Sequence, residues 1–86
     1  MDADVLKFPT DYPIKVVGRT GGTLRARVDE IVARHVPDLD HSTTRERLSE
    51  NGNFVSISYQ IHAQSREQVV ALANELSACE EVVMVI

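Results

Sequence analysis

The stretch Asn53-Phe54-Val55-Ser56-Ile57-Ser58-Tyr59-Gln60-Ile61-His62-Ala63 alternates its side chains without a break. Val55, Ile57, Tyr59, Ile61 and Ala63 fall on one face; Ser56, Ser58, Gln60 and His62 fall on the other. A period of two is the pattern of a strand with one face in a core and one in water. The rest of the chain is placed by asking what covers the apolar face and what meets the polar one.

Immediately upstream, Asn51-Gly52 separates this strand from the polar run His41-Ser42-Thr43-Thr44-Arg45-Glu46-Arg47-Leu48-Ser49. Asn-Gly between strand-like segments predicts a two-residue type I′ hairpin. Counting outward from that turn, Glu50 faces Asn53, Arg47 meets Ser56, Arg45 meets Ser58, Thr43 meets Gln60, and His41 meets His62. All of these lie on the polar face, so the first hairpin strand is a charged edge.

Downstream, Ser65 and Gln68 form a capping-box pattern ahead of a helix over 65–78, with Val69, Leu72, Ala73 and Leu76 as its apolar stripe. The chain closes on Val82-Val83-Met84-Val85-Ile86, apolar on both faces and assigned to an edge strand. Nearer the start, Ile14-Lys15-Val16-Val17 reads as a short strand. Burial of Ile14 and Val16 puts Lys15 on the polar face. Gly18-Arg19-Thr20-Gly21-Gly22 is a loop. Leu24, Val28, Ile31, Val32 and Val36 mark a helix over 23–36, with Thr23 as its N-cap and Pro37 as its stop. Residues 38–40 connect it to the polar run.

The order strand, helix, strand, strand, helix, strand defines an α+β ferredoxin-like βαββαβ sandwich. Right-handed crossovers place both helices on one face of a four-stranded antiparallel sheet, with the other face open. Residues 1–10 are assigned to an N-terminal tail and 11–86 to one domain. Val5, Leu6 and Phe8 of the tail are candidates to fold over the last strand. An 86-residue chain with 43% apolar and 26% charged residues is ordinary for one globular domain. A net charge of −4 argues against unspecific nucleic-acid binding. One cysteine, Cys79, suits a reducing compartment. The opening Met1-Asp2-Ala3-Asp4 lacks the pattern of a secretory signal and no run reaches membrane-spanning length, so the expectation is a cytoplasmic protein without membrane association.

Three groups of residues support a resemblance. Phe8-Pro9-Thr10-x-Tyr12-x-x-Lys15-Val16-x-Gly18, Gly52-Asn53-Phe54-x-Ser56-Ile57-Ser58 and the closing Val82-Val83-Met84-Val85-Ile86 together resemble the YbeD-like family of small bacterial proteins. The resemblance spans nearly the whole chain. It implies an open-faced sandwich similar to the ACT-type regulatory domain and carries no catalytic residues.

Four places in the chain offer chemistry. The polar face collects Lys15, Arg45, Arg47, Ser56, Ser58, Gln60, His41 and His62, a basic, hydroxyl-rich surface suited to an anionic ligand or an acidic partner, because arginine offers a rigid fork to carboxylate or phosphate. Its bland counterpart is a solvated sheet face. His41 and His62 without a third ligand do not make a zinc site, so no metal and no cofactor are assigned. The loop residues Gly18, Arg19, Gly21 and Gly22 resemble the phosphate loop of acylphosphatases, but the Asn that such catalysis needs on the following strand is absent. They also resemble the first turn of ACT domains, without its acidic residue. RNA-recognition motifs share the element order but need aromatics on the open face, and here only Phe54 stands at the rim. Cys79 has no activating neighbour, and Glu80-Glu81 read as solvating acids before the last strand. The sequence therefore points to a non-enzymatic regulatory or interaction module, with an acylphosphatase-like hydrolase and an RRM-like RNA binder as disfavoured alternatives. Its partner would be a protein or a small anion, and the last strand or the open face could support a homodimer.

Overall fold

The computed structural model describes residues 7–86. Strand β1 spans Thr10–Arg19, helix α1 Leu24–His35, strand β2 Arg45–Leu48, strand β3 Phe54–Ala63, helix α2 Arg66–Ser77 and strand β4 Val82–Val85. The sheet is antiparallel throughout, in the order β2-β3-β1-β4. The sandwich is the one the element order requires. The tail reading of Val5 and Leu6 lies outside the described residues, while Phe8 packs against the core.

The apolar face of β3 behaves as its alternation demands. Ile57, Tyr59 and Ile61 are essentially inaccessible and meet Val28, Val32 and Val36 from the α1 side and Leu72 and Leu76 of α2. Ile14 and Val16 join them, which turns Lys15 and Val17 to the other face. Leu39, in the connection after α1, is also buried, although its segment reads as a plain loop.

β1 is much longer than the four residues expected and begins inside the segment assigned to the tail. It pairs along all of β3, from Thr10 opposite Ala63 to Arg19 opposite Phe54. Pro13 does not interrupt it. Lys15 exchanges backbone bonds with Ile86 at 3.1 and 2.8 Å, so its N–H points toward β4. The nitrogen of Pro13, two residues back, faces the same side beyond the β4 ladder, where no donor is needed. Gly18 and Arg19 consequently belong to the strand and not to a loop. Gly18 is required by close approach, since a Cβ there would lie 2.7 Å from both the Glu81 carbonyl oxygen and Leu24 Cδ2.

The hairpin is not type I′. Among the described residues only glycines take positive φ, with Gly52 at 76°. Ser49 N–H donates to the Phe54 carbonyl at 2.8 Å, and Gly52 N–H donates to the Ser49 carbonyl at 2.9 Å, leaving four residues in the loop. The wider loop turns its carbonyls to Thr20, whose hydroxyl donates to Gly52 O at 2.9 Å and whose N–H donates to Asn53 O at 3.2 Å. Four and two differ by an even number, so the facing of β2 is unchanged: Arg47 pairs with Ser56 and Arg45 with Ser58.

The expected pairing stops there. His41–Thr43 form a short 3-10 turn capped by Asp40, which accepts from Ser42 N–H at 3.0 Å and Ser42 Oγ at 2.6 Å. Those hydrogen bonds hold the Asp40 carboxyl below its usual range. Asp-x-Ser bonding of this kind competes with strand extension.

Ser65 accepts from Gln68 N–H at 3.1 Å, as the capping pattern requires. The Gln68 side chain differs in detail: it accepts from Gln64 N–H at 2.6 Å and donates to the His35 carbonyl at 2.8 Å, tying the start of α2 to the end of α1. Thr23 precedes α1 but makes no side-chain cap; its hydroxyl donates to Glu81 Oε2 at 2.8 Å. Glu81, which also pairs with Arg27 at 3.4 Å, is thus held at the α1 N-terminus and is not merely a solvating acid.

Candidate functional site: the open sheet face

The period of two sorts the side chains of the face that α1 and α2 leave uncovered. One row across the sheet is Arg47, Ser56, Val17 and Met84; the next is Arg45, Ser58, Lys15 and Ile86. Toward the hairpin, Arg19 stands opposite Phe54, its guanidinium 5.9 Å from the ring centroid. Toward the other end come Gln60 opposite Pro13, and then His62 opposite Asp11.

Lys15, Arg45, Arg47, Ser56, Ser58, Gln60 and His62 therefore share the face assigned to them. His41 does not reach it, because the 3-10 turn removes it from the ladder. His62 instead places Nδ1 3.0 Å from Asp11 Oδ1. No group of three His, Cys, Asp or Glu capable of holding a metal occurs among the described residues. Arg19 joins the face although its segment reads as loop. The available signal was the continued alternation Lys15, Val17, Arg19, hidden by the glycine that follows Val17.

Four of the nine lysines and arginines of an acidic chain thus stand on one face; among the described residues the strands place one carboxylate there, Asp11, already against His62, and Glu50 of the hairpin loop borders the depression beside Arg47. On α1 the arginines are matched by acids: Arg25 with Asp29 and Glu46, Arg27 with Glu81, and Arg34 with Glu75. On the face, Arg45 donates only to the carbonyls of Ser42 and Thr44 at 3.3 and 3.5 Å. Arg47 and Lys15 make no side-chain ion pair or hydrogen bond among the described residues. The small side chains of Ser56 and Ser58 leave two depressions along the sheet, about 430 Å³ beside Val17, Arg47 and Phe54 and about 310 Å³ beside Lys15, Gln60 and Ile86.

β4 supplies the apolar flank. Val85 and Val82 turn to the core, and a bulge between Val17 and Gly18 separates Val82 from Met84. Met84 and Ile86, 49% and 66% exposed, project onto the open face.

The candidate loop is divided. Gly18 and Arg19 lie in β1, while Gly21 and Gly22 border a small depression of about 220 Å³ with Leu24, Arg25 and Glu46. The Glu81 carboxylate already stands at the α1 N-terminus, where a phosphate would be cradled. Phe54, 38% exposed and covered by Arg19, is the sole aromatic on the face among the described residues, and Tyr59 points into the core.

The sheet order, the helices on one side and the uncovered opposite face define an open ferredoxin-like sandwich of the ACT type. Solved structures agree: the ACT domain of GTP pyrophosphokinase from Chlorobium tepidum superposes with a TM-score of 0.69 at 14% identity, covering 88% of this chain and 84% of that one. Protein HP0495 from H. pylori superposes at 0.72 and 14% identity, covering 94% and 85%. Residues 3–86 match the family described as protein of unknown function DUF493, and the chain belongs to that family. A "UPF0250 protein" of Ectopseudomonas mendocina is 44% identical over 90 residues, covering 99% of this chain and 98% of the relative.

Proposed function

We propose that this protein is a non-enzymatic regulatory or interaction module of the cytoplasm that takes an anionic ligand or an acidic partner on its open sheet face. The observation that carries the reading is the segregation of charge: Lys15, Arg19, Arg45 and Arg47 share one face of a chain whose net charge is −4. Arg25, Arg27 and Arg34 of α1 are neutralised by carboxylates within the fold, whereas Lys15 and Arg47 of the sheet face make no ion pair among the described residues. Guanidinium groups beside serine hydroxyls suit carboxylate or phosphate oxygens. The test is affinity capture from the host lysate with the tagged protein and with Arg45→Glu/Arg47→Glu, followed by mass spectrometry of proteins and small molecules. A partner or anion should be retained by the wild type and lost by the variant at unchanged thermal stability. Identical retention by both would sink the reading.

A second reading, self-association, is favoured by the outer edge of β4, whose neighbours Val83, Met84 and Ile86 are exposed. Light scattering over a concentration series tests it; a monomer throughout removes it.

A further inference from the structure

We infer that the occupant of the open face is an acidic amphipathic helix of a partner protein. The inference rests on the proposed role of that face and names the chemistry that would fill it.

Backbone hydrogen bonding favours a helix first. The face is the flat of a sheet whose two inner strands, β3 and β1, are paired on both sides, so they have no peptide groups to lend. An extended segment lying across it would bury unpaired N–H and C=O groups. A helix brings its backbone already satisfied, as α1 and α2 do on the opposite side.

Shape favours it next. The depressions at Val17/Ser56 and Lys15/Ser58 follow one another along the paired strands β1 and β3. By register Met84 and Ile86 flank this row on the β4 side, and Arg47 and Arg45 on the β2 side. β4 and β2 lie three strand spacings apart, roughly 14–15 Å, which accommodates a helix about 10–12 Å across. A helix seated over β1 and β3 can therefore set an apolar stripe toward Val17, Met84 and Ile86 and direct the side chains of its other flank toward β2.

Charge favours it as well. Alternate residues on a strand are about 6.6 Å apart, and residues four apart on a helix about 6 Å. Carboxylates at i and i+4 thus match Arg45 and Arg47, with Lys15 and Arg19 within the footprint. A second copy of this chain would bring the same four cations face to face, which opposes that occupant. Single-stranded nucleic acid needs several free aromatic faces, and Phe54, with Arg19 over one side of its ring, is the sole aromatic on this face among the described residues. A small anion would need cations converging on one point, whereas these are spread over two strands.

The probe is a synthetic helical peptide with Leu at i, i+3, i+4 and i+7 spacing and Glu along one flank, titrated into the 15N-labelled protein. Controls are a peptide of the same composition with the Leu stripe broken, citrate, and an oligouridylate. The expected result is binding of the striped peptide, with amide shifts centred on Val17, Ser56, Ser58 and Met84. The broken stripe, Arg45→Glu/Arg47→Glu, and Ile86→Asp should each weaken it by about tenfold or more. Ile86 is exposed, so its substitution leaves the fold intact, and a thermal melt checks this. Equal binding of the broken stripe and citrate would overturn the helix while leaving the anion-binding reading standing. No binding of any acidic probe would overturn both. Tighter binding of oligouridylate with the same shifts, or a stable dimer that protects Met84 and excludes the peptide, would overturn the inference in favour of those occupants.

Discussion

The hydroxyl of Tyr59 donates a hydrogen bond to Oδ1 of Asp29, joining the middle of β3 to α1 beneath the sheet. Asp29 also accepts from Arg25 Nε at 2.9 Å, and Arg25 reaches Glu46 of β2 at 2.5 Å. Burial first, and the adjacent Asp29 second, push the Tyr59 phenol well above its usual value, so it remains a neutral donor. Tyr59→Phe should keep the packing and lose the donor, at about 1.5–3 kcal/mol for a hydrogen bond to a charged group. Urea unfolding checks this; an unchanged midpoint at an unchanged slope would show the bond to be without net worth.

Gly18 separates crowding from backbone freedom. It takes no positive φ, and its Cβ would press on backbone at Glu81 and on Leu24. Gly22, at φ 85°, has nothing near its Cβ position. Gly18→Ala should lower stability by about 1–3 kcal/mol through overpacking and disturb the β1–β4 pairing. Gly22→Ala should cost about 1–2 kcal/mol through its backbone alone. Amide exchange along β4 distinguishes them: acceleration in Gly18→Ala only is expected, and equal acceleration in both would refute the assignment.

Glu75 links the helices, with Oε2 2.7 Å from Arg34 Nη2 and Oε1 2.7 Å from His35 Nε2. Hydrogen bonds from Arg34, then His35, hold its carboxyl below the usual glutamate value. A depressed folded value means that the unfolded chain binds the proton more readily. The stability Glu75 contributes is therefore present above the ordinary glutamate value of about 4.3 and is lost as pH falls through the lower folded value. The advantage of the wild type over Glu75→Gln should shrink across that acid window in urea titrations. An advantage that grows with acid would contradict the linkage.

The part of this protein legible without coordinates is what repeats along a strand or helix. Alternation in 53–63 determined which side chains are buried, and helical spacing did the same for Val28, Val32, Leu72 and Leu76. Parity alone placed Arg45 and Arg47 on the open face, even though the hairpin loop proved longer than Asn-Gly suggests. Tertiary structure decided the rest. The length of β1 was set by a ten-residue partner strand, which overrode the breaking tendency of Pro13 and carried Arg19 onto the open face. Asp40 bonding ended the β2 ladder before His41 could meet His62. Glu81, 58 residues from Thr23, was brought to the start of α1 by the crossover of β4. Periodicity is a local property that each residue carries into the fold, whereas these contacts join groups far apart in sequence and exist only once the sheet has brought them together.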